Sequence, residues 1–145
     1  MKRWIAIAAV AAAVSSVPAF ARNDAYALSI REVLNSPEFA AKVGTGVKFA
    51  FADEPIAVAS TIVDYEATGR GHYEGRPEEE ACKGAMINAL FLLRQRAQRS
   101  RGDAVTGIVG NFRGRPYVSR TNYDCHAGAS GVFVVLKGTV VKLQK

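Results

Sequence analysis

The chain has 145 residues, is 49% hydrophobic and 22% charged, and carries a formal net charge of +6 at pH 7. That length builds one domain around one core, and the absence of internal repeats and low-complexity segments excludes solenoid and fibrous architectures. Beyond the N-terminus no segment is long and apolar enough to span a bilayer.

The first residues read as an export signal. Lys2 and Arg3 are basic, Trp4 to Val14 is apolar, Pro18 breaks the helix, and Ala19-Phe20-Ala21 is a small-x-small cleavage site. The expectation is a signal peptide over 1–21, cleaved after Ala21, and a periplasmic or secreted domain over 22–145. No cysteine follows the apolar run, so lipid attachment is not expected. A basic protein outside the cytoplasm meets acidic proteins or the phosphates and carboxylates of the envelope rather than nucleic acid.

The remaining elements follow in chain order. Ile30, Val33 and Leu34 fall on one helical face. Ser36-Pro37 reads as an N-cap with proline at the first helical position, and Gly44 as a stop. One or two short helices are predicted there. Gly46–Ala52 alternates as a first strand, and β-branched and aromatic Ser60–Thr68 as a second. Gly69–Gly75 reads as a mobile loop. Pro77–Arg99 is the longest helical segment, with Ala81, Ala85, Ala89, Leu92, Leu93 and Ala97 at three- and four-residue steps. Glu78, Glu79 and Glu80 open this helix and Arg94, Arg96, Arg99 and Arg101 close it, as the helix dipole favours. Ala104–Val109 is a third strand, Asn111–Pro116 a hairpin, Tyr117–His126 a fourth strand, and Val132–Leu143 a fifth, bent at Gly138. The predicted fold is α+β: a mostly antiparallel sheet of about five strands with one long helix packed on one face.

Cys125-His126 raises the question of reactive chemistry. On a strand, adjacent side chains point to opposite faces, so the two cannot act on one another. A thiol enzyme would need Cys82 or Cys125 with His72 and a third orienting group that the sequence does not supply. A metal site would have to draw on Cys82, Cys125, His72 and His126, without Cys-x-x-Cys or His-x-x-x-His spacing. Two cysteines in an exported chain point instead to a disulfide, with Cys82 at the start of the helix and Cys125 on a strand beneath it. No cofactor is expected.

The arginines invite a second reading. Arg94, Arg96, Arg99 and Arg101, with Arg113, Arg115 and Arg120, would bind phosphate or carboxylate if they gathered on one edge. The plainer reading is a solvated helix end. There is no P-loop, the dinucleotide fingerprint fails after Gly44-Thr-Gly46, and no Gly-x-Ser-x-Gly is present.

Glu79-Glu-Ala-Cys82, Ala89-Leu-x-x-Leu93, Ala97, Gly102-Asp-Ala-Val105, Tyr123-x-Cys-His-Ala-Gly128 and Leu136-Lys-Gly138 resemble a group of small exported proteobacterial proteins that carry the label "excinuclease ATPase subunit". The resemblance runs from about Asp24 to Leu143. The activity in that label requires P-loops, which this chain lacks. The stretch Ala81 to Val109, an alanine-spaced helix running into Gly-Asp-Ala-Val, is similar to the helix–strand unit of the YbjQ and RcsF families. That similarity implies an α+β fold. From RcsF it implies a disulfide-bearing envelope stress sensor that works by protein contacts, and from YbjQ oligomers and a metal role. The chain departs from RcsF in having no lipidation cysteine and only one cysteine pair.

The sequence therefore predicts a non-enzymatic, disulfide-stabilised periplasmic domain that binds a protein partner or an anionic envelope component. The alternative is a thiol-redox or metal-binding protein using Cys82, Cys125 and His126 or His72.

Overall fold

The structure, a computed structural model, describes residues 24–145; the predicted signal peptide over 1–21 lies outside the described residues. The fold is α+β, with a six-stranded, mostly antiparallel sheet and one long helix. The elements are β1 (Asp24–Ser29), α1 (Ile30–Leu34), α2 (Pro37–Lys42), β2 (Lys48–Phe51), β3 (Val58–Gly71), α3 (Glu78–Arg99), β4 (Ala104–Gly110), β5 (Asn122–Ala127) and β6 (Val132–Leu143).

β6 is the spine. Its apolar run Val132-Phe-Val-Val-Leu pairs antiparallel with β3 on one edge and with β5 and then β4 on the other. Gly138 does not break it. A Cβ there would lie 2.8 Å from Val105 Cγ1 and 3.1 Å from Ile108 Cγ1, so the glycine makes room for two core side chains of β4. The irregularity falls on β4 instead, where Gly107 (φ +62°) sits in a bulge between Thr106 and Val109. β2 adds to β4 in parallel, a pairing the sequence reading did not include. The chain between them must cross over, and it does so through β3 and α3.

The sheet has six strands rather than about five because Asp24–Ser29 is a strand. It lies antiparallel to β5 with Tyr26 opposite Cys125. Asp24 and two alanines have little β preference of their own, and the pairing with β5 supplies the order. The local capping signals hold. Ser36 Oγ accepts from Phe39 N at 3.2 Å, Pro37 opens α2, and Gly44 leaves it at φ +69°.

Two boundaries differ from expectation. β3 continues through Gly71 instead of opening into a loop at Gly69. A Cβ on Gly69 would meet Ala85 O and one on Gly71 would meet Ala81 O, so these glycines let the α3 backbone lie directly on the strand. β5 starts at Asn122 rather than Tyr117, which makes only an isolated bridge to Gly110. Ser119 Oγ accepts from Thr121 N and Asn122 N, a local turn that holds 117–121 off the ladder. Phe112–Gly114 is a single helical turn rather than a plain hairpin tip.

The core lies where α3 meets β3 and β6. Met86, Leu90 and Leu93 of α3 are fully buried with Val105, Ile108, Val134, Leu136 and Val140. Ala81, Ala85, Ala89 and Ala97 are buried as the alanine spacing predicts, while Leu92 is only half-buried.

Candidate functional site

The alternation of β5 sorts its side chains. Tyr123, Cys125 and Ala127 join the core. Cys125 is bonded to Cys82, with S–S 2.03 Å and Cα–Cα 5.8 Å, and both are fully buried. No free cysteine remains among the described residues. The bond ties the second turn of α3 to the strand that β1 also holds, so three elements far apart in sequence are fixed together.

Asp124 and His126 point the other way. Asp124 is buried, with 8% exposure, and its Oδ2 lies 2.8 Å from His126 Nε2. Its other oxygen, Oδ1, is buried and has no hydrogen-bond partner among the described residues. Phe112 stacks on the imidazole at 3.7 Å between ring centres and 11° between planes. Arg113 lies 5.1 Å from the centre of the Phe112 ring. A buried carboxylate facing a histidine is the one acid–base pair of this kind among the described residues. The sequence reading sets His126 against Cys125 and within a metal set of Cys82, Cys125 and His72, and does not pair it with Asp124. The signal it missed was the i, i+2 spacing of Asp124 and His126, which puts both on one face of a strand.

A cleft of about 680 Å³ opens nearby. β5 and β4 follow one another along the same edge of β6, and β5 pairs with it only at His126 and Ala127 before diverging. The β1–β5 pair and the β4–β2 pair therefore splay apart. Phe49 and Phe51 line one side, Ile30 and Leu34 the other, and Arg120 and Thr121 contribute to the rim. Arg120 is held there by Asp53, Nε to Oδ1 2.7 Å. That hydrogen bond and charge hold the Asp53 carboxyl below its usual range.

The arginines do not form one edge. Arg99 ends α3 and Arg101 follows it, just before β4 begins, while Arg113 and Arg115 lie beyond Gly110, where β4 ends. A seven-residue strand separates them by about 20 Å. Arg94 turns toward α2, donating from Nη1 to Val43 O at 3.0 Å and lying over Phe91. Arg96 lies over Tyr65. His72 is exposed just after β3. No group of three or more His, Cys, Asp or Glu side chains arranged to hold a metal occurs among the described residues, and no helix there is long and apolar enough to cross a membrane. No family model, curated protein or solved structure matches the chain.

Proposed function

We propose that the chain is a non-enzymatic, disulfide-stabilised periplasmic domain that binds a protein partner or an anionic component of the envelope. The observation that carries this reading is the buried Cys82–Cys125 bond, since disulfides persist in oxidising compartments. In this reading α3 covers one face of the sheet, and recognition falls to exposed basic groups outside the core. The exposed Arg99 and Arg101 at the α3 terminus, beside half-buried Arg96, are the first such patch. The resemblance to small exported proteobacterial proteins, and to the RcsF-like helix–strand unit, fits the same reading.

The test has two arms. Intact mass after alkylation of denatured protein, with and without reduction, is expected to show no label until reduction. Labelling of both thiols without reduction overturns the structural role of the bond and favours a redox or metal protein. Co-sedimentation with anionic vesicles and binding to envelope extracts are expected to fall with rising salt and to weaken in Arg96→Ala plus Arg99→Ala. Binding that ignores both salt and these substitutions removes the arginines from the mechanism.

A further inference from the structure

Residues 111–121 join β4 to β5 as a loop with a closed neck. Gly110 N donates to Tyr117 O and Tyr117 N donates to Gly110 O, both at 2.9 Å. The neck rests on Asp124. A Cβ on Gly110 would lie 2.1 Å from Asp124 Oδ1 and 3.0 Å from Tyr117 Cβ, so glycine is required for the carboxylate to sit there. The start of the loop rests on His126 through the Phe112 stack. Asp124 and His126 are themselves joined. One acid–base pair thus supports the loop at two points, and the same loop carries Arg120 and Thr121 to the rim of the cleft.

Other charged groups surround the imidazole at one remove. Arg113 lies over Phe112. Phe133 of β6 is the residue paired with His126, and Arg70 of β3 lies over its ring. Glu66 of β3 accepts from Asn111 at the loop start, 2.6 Å. From β1 the residue paired with His126 is Ala25, which carries no charge.

We infer that the protonation state of His126 sets the position of the 111–121 loop and, through it, the Arg120–Thr121 rim of the cleft. Histidine is the side chain that ordinarily changes charge between about pH 5 and 8. As an imidazolium, His126 gives Asp124 a charge-assisted hydrogen bond and stacks on Phe112 as a cation. As a neutral ring it leaves the buried carboxylate without a counter-charge, and Oδ1 has no hydrogen-bond partner among the described residues to compensate. The carboxylate then gains by moving toward water, and the Gly110–Tyr117 neck lies against it. The stack on Phe112 weakens in the same step. This device does not depend on which partner the domain binds.

The experiment is an NMR pH titration of the oxidised protein. The Phe112 ring signals and the Arg120 and Thr121 amides are expected to shift with the same midpoint as the His126 ring protons. In His126→Gln those shifts should vanish. In Phe112→Leu, His126 should still titrate while Arg120 and Thr121 follow it at less than half the native amplitude. If His126 does not titrate above the acid-unfolding range, or titrates while Arg120 and Thr121 stay still, the inference is overturned. It also fails if those amides move unchanged in His126→Gln, since another group would then be driving them.

Discussion

A Cβ placed on Gly69 would lie 1.9 Å from the carbonyl oxygen of Ala85 and 2.6 Å from the amide nitrogen of Ala89. The atoms in the way are helix backbone, which cannot rotate aside. Gly69→Ala therefore has to lift α3 off β3, and with it the Met86–Leu90–Leu93 core. Overpacking of this kind costs about 3 kcal/mol, and a rigid backbone neighbour puts it at the upper end. Chemical denaturation should show the loss, whereas Gly84→Ala, with nothing within 4 Å of its Cβ, should be neutral or stabilising.

Removing the disulfide should loosen the unfolded chain more than the folded one. The bond closes a separation of 43 residues, for which chain entropy gives about 4 kcal/mol. Cys82→Ala with Cys125→Ala is expected to lower the unfolding free energy by roughly 3–4 kcal/mol, with α3 becoming the first element to lose amide protection. A double variant as stable as the oxidised protein would show that packing alone fixes α3.

The Asp124–His126 pair predicts a non-additive cycle. His126→Ala leaves the buried Asp124 carboxylate without a side-chain partner among the described residues, at a cost of about 2–3 kcal/mol. Asp124→Ala plus His126→Ala removes the stranded charge and should cost less than the sum of the single changes. Additive effects in urea melts would mean that the two side chains do not interact.

Tyr123 should resist alkali. Burial, with Glu32 and Glu79 nearby, pushes its phenol above the ordinary tyrosine range. The folded protein then keeps a proton that the unfolded chain releases near pH 10, so stability is complete below about pH 10 and falls as pH rises beyond it. Absorbance at 295 nm should show one tyrosine ionising only with unfolding, and Tyr123→Phe should flatten the alkaline loss of stability.

Much of this fold is written locally. Ser36-Pro37 and Gly44 bound α2 because caps and stops act within a few residues, and the alanine spacing of α3 marks the face that is buried. The pairing of Cys82 with Cys125 is the one pairing that two cysteines allow. The contacts that define the candidate site were not legible in this way. β1 is a strand because β5 lies beside it, and β3 runs on through Gly69 and Gly71 because α3 lies on it. The arginines look like one cluster in sequence, but β4 separates them, since a strand carries its two ends far apart. Asp124, His126, Gly110 and Phe112 meet only where β4 and β5 follow one another along β6. Periodicity and capping decide elements, but a site built between elements depends on register and on which edges pair, and tertiary packing alone sets those.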